Sequence, residues 1–335
     1  MKTLRTWTLA TCCCIGSILL AQEPSYSTQE ILKDLEFFNG WEAAQLAPNF
    51  KKKQLTNFRS PLMRQLAQSM IEGNYQKEYR LKTYRPIASN KILQNKLKLS
   101  DGYSRYENIT GMYLEKGENV VLVGDMHGRE INLLIPDWMR QPTPGFAPTK
   151  DPEGWGLKKQ VIALHEGVNV IYVEKPGNVY IDYFADDPET APGVTIHFVT
   201  GKVNGYFDAE TQTNKDWNKL LDQAVSPVMD VKTRYMQLAY PVEFLKKFDY
   251  GKGKELAQAY DQIMTQQYEF CGALKYNRVP EKRILARVNF NYFMFRDGDG
   301  VAFLGNESTM KSALGPDIYK DWGVNHEIGH VMQMS

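Results

Sequence analysis

Apolar and polar positions follow three successive patterns along the 335 residues. From residue 27 to about 100 the apolar positions have helical spacing. Ile31, Leu32, Leu35 and Phe38 follow Ser27-Thr28-Gln29-Glu30, and Leu62, Leu66 and Met70 follow Ser60-Pro61. A serine before the first periodic residue and a proline at the first helical position both mark helix starts. From about residue 101 the pattern changes to short β-branched runs at 111–114, 120–123, 131–135, 161–164, 168–173, 179–184 and 194–199, separated by Gly, Pro and Asp. Such runs predict an antiparallel β-sandwich over 101–205. After Gly205 helical spacing returns, with Asp216 as the expected cap of a helix carrying Trp217, Leu220, Leu221 and Val225. Residues 255–274 read as a second helix, 283–295 as a strand, 300–305 as a short strand, and the end from Trp322 as a helix. No fixed-period repeat is visible.

Composition changes this picture little. The net charge of +1 gives no field that would favour nucleic acid or anionic lipid. An aromatic content of 12% argues for packed cores and against disorder. Lys51-Lys52-Lys53 reads as a solvated turn.

The first 21 residues read as an export signal. Lys2 and Arg5 precede an uncharged, mostly apolar run over 9–20 that is too short to span a bilayer, and Ala21 is the expected cleavage point. The mature chain then carries no transmembrane span and is secreted, periplasmic or at the cell surface. An uncleaved anchor, or lipid anchoring at one of Cys12, Cys13 and Cys14, is the alternative. Cleavage at Ala21 leaves Cys271 as the single cysteine, so no internal disulfide forms and stability rests on the core or on bound metal.

The chemistry-bearing segment is Asn325-His326-Glu327-Ile328-Gly329-His330-Val331-Met332-Gln333. Residues four apart on a helix share a face, so His326 and His330 can direct two imidazoles at one ion. Zinc suits two neutral imidazoles, a third ligand and an open position for water. The metal acidifies that water and polarises a scissile carbonyl, and Glu327 is placed to act as the general base. Gly329 costs about 1 kcal/mol of helix propensity, which is the expected signature of another element packed close to the helix. His127, His165 and His197 have no partner at ligand spacing; the first two read as turn residues and His197 as packing or facing solvent. Asp297-Gly298-Asp299-Gly300 reads as a hairpin turn.

Residues 326–333, with the strands at 283–295 and 300–305 before them, resemble the enhancin-like metallopeptidase family of viral enhancins and mucin-directed peptidases of gut bacteria. Residues 167–173, 177–181, Asp216-Trp217 and 224–227 agree with that resemblance. It implies an α+β multidomain chain: a signal peptide over 1–21, a helical lead-in over 22–100, the sandwich over 101–205, and over 206–335 the first part of a zincin-type, gluzincin-like catalytic domain. It implies a zinc endopeptidase that cleaves mucin-type glycoproteins. It also implies a third zinc ligand, a glutamate on a later helix. Residues 331–335 hold no carboxylate or imidazole, so that ligand is expected beyond Ser335 and the chain is expected to be the N-terminal portion of a longer enzyme. In zincins a strand near the active helix aligns the substrate by strand addition, and Ala302 and Phe303 are the expected substrate-binding residues, with an ordinary core hairpin strand as the alternative for so short a run. The competing reading is a glycan- or protein-binding module with an incomplete or inactive peptidase site.

Overall fold

The computed structural model describes residues 26–98, 103–315 and 317–332. The expected leader and its cysteines lie outside these residues. Ser27 caps α1 (Thr28–Asp34) by accepting from the Glu30 N–H, and Ser60 caps α2 (Pro61–Ile71) with proline in the first turn. These helices bury Ile31, Met63, Leu66 and Ala67 against Phe38 and Phe58. The chain then forms β1 (Leu81–Tyr84), β2 (Ile87–Ala88) and α3 (Asn90–Leu97). The helical region expected to run to residue 100 is therefore interrupted by strands. Within β1 only Tyr84 is buried, so no apolar run announces the strand.

Each β-branched run between 111 and 199 forms a strand. They are β3 (Ile109–Leu114), β4 (Gly117–Val123), β5 (Asn132–Pro136), β6 (Lys159–Ala163), β7 (Gly167–Val173), β8 (Gly177–Asp182), β9 (Phe184–Ala185) and β10 (Val194–Phe198), followed by β11 (Lys202–Val203). Two antiparallel sheets result, ordered β1-β10-β4-β7 and β11-β3-β8-β5-β6. Val121, Val123, Ile196 and Phe198 of the first share one core with Met112, Leu114, Leu133, Val179 and Ile181 of the second. Neighbouring residues of β4 face the other way: Val120 and Leu122 pack under α1 and α2. Burial on both faces explains the unbroken apolar run at 120–123.

The third sheet is built from β12 (Phe207–Asp208), β13 (Val228–Lys232), β14 (Met236–Pro241), β15 (Ile284–Asn289), β16 (Met294–Asp297) and β17 (Gly300–Leu304). Its order is β12-β13-β14-β15-β17-β16. Pairing is mixed: β14, β15 and β17 run parallel, and β16 returns antiparallel to β17. Helices α4 (Asn214–Gln223), α5 (Val242–Asp249), α6 (Gly253–Phe270), α7 (Glu307–Ala313) and α8 (Trp322–Val331) share one core with this sheet. On β15, Ile284 and Ala286 join the helix side, while Leu285 turns to the five-stranded sheet and packs with Tyr106, Leu134, Trp138 and Tyr180. Asp230 sits in that apolar contact and accepts from Tyr180 Oη at 2.7 Å and Asn178 Nδ2 at 3.1 Å.

Three local expectations are corrected. The cap of α4 is Thr213, and Asp216 is its capping-box partner, accepting from the Thr213 N–H at 2.9 Å. The strand expected over 283–295 is two, broken at 290–293 where Asn289 Oδ1 accepts from the backbone of Asn291 and Tyr292. The region after 206, expected to be mainly helical with a small sheet, carries six strands. The buried Asp230 and Gln237 gave β13 and β14 a polar look in the sequence.

Candidate metal centre

Helix α8 starts where the spacing placed it. Asp321 caps it, accepting from the Val324 N–H at 3.0 Å, and Asn325 Nδ2 ties the first turn back to the carbonyls of Tyr319 and Asp321. Val324, Ile328 and Val331 are buried, at the spacing of one helix face. His326 and His330 stand on the other side, His326 exposed and His330 half-buried. The sheet sets the depth of the helix. A side chain at Gly323 would meet Met294 Sδ of β16 at 2.9 Å, so the helix lies close on the strand there and a larger residue would have to push the Met294 side chain aside. At Gly329 the nearest atoms to an added Cβ belong to Gln267 of α6, 3.8 Å away, which is ordinary contact. Close packing therefore explains Gly323, and the reason expected for Gly329 does not hold.

The two imidazoles converge. His326 Nε2 and His330 Nε2 are 3.0 Å apart, with the rings edge to face. Two lone pairs do not face each other at that distance: either one nitrogen carries hydrogen, or a cation lies between them. An ion held at about 2.0–2.1 Å by two nitrogens at a tetrahedral angle sets them about 3.3 Å apart. The pair fits that donor geometry after a shift of a few tenths of an ångström. Glu327 follows His326 directly and is half-buried. Among the described residues no group of three or more His, Cys, Asp or Glu side chains is placed to hold a metal.

The other singled-out residues lie elsewhere. His127 occupies a turn at positive φ beside Asp125, His165 donates its backbone N–H to Asn169, and His197 is buried between Tyr75 Oη and the Glu42 carbonyl. Asp297–Gly300 closes the β16–β17 hairpin. Ala302 and Phe303 are fully buried, and β17 is paired on both sides, with β15 and with β16. A strand with both edges hydrogen-bonded cannot accept a substrate backbone. The substrate-binding assignment of Ala302 and Phe303 therefore fails, and the free edge of this sheet beside α8 belongs to β16. Composition of the two runs could not tell which one lies inside.

One neighbour of the centre was missed. Trp322 stacks on His326, with ring centroids 4.5 Å apart and planes at 24°. Its signal was an aromatic residue four positions before the first histidine, in the same helical row. No helix among the described residues is long and apolar enough to cross a membrane. Cys271 is a free, exposed thiol.

Comparison with solved structures shows the same fold in several metallopeptidases. One is a metallopeptidase from Bacteroides thetaiotaomicron, 20% identical, with a TM-score of 0.73 over 94% of this chain and 53% of that one. A second is a metallopeptidase in complex with Tn antigen, 21% identical, TM-score 0.64, over 77% of this chain and 48% of that one. A third is the M60 catalytic domain of Clostridium perfringens ZmpC in complex with the sialyl T antigen, 16% identical, TM-score 0.59, over 76% and 53%. The chain thus spans about half the length of the structures it matches. Comparison with curated proteins gives no match. Residues 203–335 match the family model described as Peptidase M60, enhancin and enhancin-like. That stretch holds the third sheet, the helices on it and the converging histidines. Through these residues the chain is similar to the enhancin and enhancin-like peptidases, a metallopeptidase family that implies a bound metal.

Proposed function

We propose that this chain carries the zinc ligands and the general base of an exported endopeptidase acting on mucin-type glycoproteins. The observation that carries the reading is the 3.0 Å approach of His326 and His330 Nε2, with Glu327 next to His326 in the chain, inside the family-matched region. On this reading the two antiparallel sheets form a β-sandwich leading into a zincin-type catalytic portion that begins near residue 206. Zinc, when bound, would polarise the scissile carbonyl and acidify the attacking water. His326 and His330 would hold the ion on the solvent side of α8, and the buried Val324, Ile328 and Val331 fix the helix from the other side. Glu327 takes a proton from the attacking water and returns it to the leaving nitrogen, so atoms and charge balance over one turnover. The complexes of two fold relatives with Tn antigen and with sialyl T antigen support a glycoprotein substrate.

A second reading, a binding module with an incomplete peptidase site, draws on the absence of a third ligand among the described residues. One experiment separates the two. The full-length enzyme that this reading expects is incubated with an O-glycosylated mucin fragment and with its deglycosylated form, and zinc content is measured alongside; the 335-residue chain alone is expected to bind zinc weakly and cleave little. Glu327→Ala is expected to keep zinc and lose hydrolysis. His326→Ala and His330→Ala are expected to lose zinc as well. Full activity in Glu327→Ala refutes the mechanism, and equal cleavage of both substrates removes the mucin assignment. No cleavage by any form, with the glycosylated fragment still bound, favours the binding module. Export is tested by mass spectrometry, which is expected to find a mature chain starting at Gln22. A chain starting at Met1, or an acylated cysteine at 12–14, overturns it.

A further inference from the structure

Trp322, His326 and His330 form one row on α8, spaced four residues apart. The face of the Trp322 ring covers the His326 imidazole, and His326 in turn meets His330 edge to face at 4.5 Å. Trp322 is 75% exposed and takes no part in the core beneath the helix. Its ring therefore does not serve to anchor α8 on the sheet, a task done by Val324, Ile328 and Val331.

A histidine that binds metal is usually held in orientation by a hydrogen bond from its other ring nitrogen. His326 turns Nε2 toward His330, and among the described residues no oxygen receives a hydrogen bond from its Nδ1. An exposed imidazole without such a bond is free to leave this rotamer for another staggered one. Besides its contact with His330, the stacked indole is what restrains it. An imidazole bound to a cation is electron-poor and lies well against the negative face of an indole, so the stack also favours the loaded state.

We infer that Trp322 is a positioning residue of the metal centre, holding His326 in the orientation that lets both imidazoles meet one ion. The inference rests on the zinc reading above. The test is the zinc affinity of the 335-residue chain, measured by competition with a chromophoric chelator. Wild type, Trp322→Ala, Trp322→Phe and Trp322→Leu are compared, with the thermal midpoint of each zinc-free protein recorded. Trp322→Ala is expected to weaken zinc binding about 10- to 100-fold, the usual cost of losing a group that orients a ligand. Trp322→Phe keeps a flat ring and is expected to stay close to wild type. Trp322→Leu covers the same surface without a flat ring and is expected to behave as Ala. The zinc-free midpoints should not move, because the ring is exposed. Zinc should also change tryptophan emission in wild type and not in Trp322→Phe. Wild-type affinity in Trp322→Ala, or equal affinity in Leu and Phe, overturns the positioning role and leaves the zinc reading standing. Should the wild type bind zinc no better than His326→Ala, the zinc reading falls and the inference with it. If Trp322→Ala melts early, the Leu–Phe comparison at matched stability decides.

Discussion

Replacing Asp249 by asparagine should stabilise the protein at neutral and alkaline pH and do little in acid. Asp249 ends α5 and is fully buried, with Oδ2 accepting from the Gly315 N–H at 3.2 Å and Oδ1 without a partner among the described residues. Burial raises its pKa from 3.8 to about 7, against smaller opposing effects from the Gly315 N–H and Lys252. The folded state therefore binds this proton more tightly than the unfolded state does. Stability from the protonated form is fully present below about pH 4, declines as pH rises, and is lost above about pH 7. A rise of about 3 pH units corresponds to about 4 kcal/mol of penalty once the carboxyl must ionise. Asparagine has the shape of the protonated acid, keeps an acceptor for Gly315 and never ionises. Urea unfolding of both proteins from pH 4 to pH 8 isolates the effect, because every other titrating group cancels in the difference. The two should agree within about 1 kcal/mol at pH 4, and the variant should lead by about 4 kcal/mol at pH 8. A difference that is flat with pH, or a variant weaker than wild type at pH 8, would refute the reasoning.

Two further changes probe the packing of the fold. Gly300 has φ +123°, and an added Cβ would lie 2.2 Å from the Leu285 carbonyl oxygen, so Gly300→Ala should cost about 3 kcal/mol or more and lower the melting temperature; an unchanged melt would show that the hairpin shifts freely. Tyr75→Phe removes the hydroxyl facing the buried His197 Nε2 and should cost about 1–3 kcal/mol in urea unfolding, since the nitrogen is left without a donor. Burial lowers the His197 pKa from 6.5 to about 4, so stability from its neutral ring is present above about pH 6.5 and falls as pH drops toward 4. A Tyr75→Phe variant as stable as wild type would show that this clasp on the N-terminal helices carries no weight.

Local signals were enough for much of this chain. Ser27 and Ser60 cap helices because a serine oxygen can accept from a free N–H one turn on, a matter of neighbouring residues alone. The β-branched runs between 111 and 199 form strands because residues with that side-chain shape pack well on a pleated surface. The row of His326 and His330 follows from helical periodicity, and so does the buried row of Val324, Ile328 and Val331. All of these are fixed within a few residues.

What only the tertiary structure decided depends on partners distant in sequence. Residues 283–295 and 300–305 read alike as strands, yet β17 lies inside the sheet and β16 at its edge, and strand order alone removed Ala302 and Phe303 from the substrate surface. Asp230 and Gln237 made β13 and β14 look polar, because their hydrogen-bond partners Tyr180 and Ser104 lie on other segments. Strand β1 buries only Tyr84 and exists because β10 pairs with it. His197 read as a packing or solvent-facing residue until Tyr75 and Glu42 closed over it. Periodicity reports which face of an element is apolar. Which element covers that face, and whether a buried polar group finds a partner there, is set by contacts across the chain that no local pattern encodes.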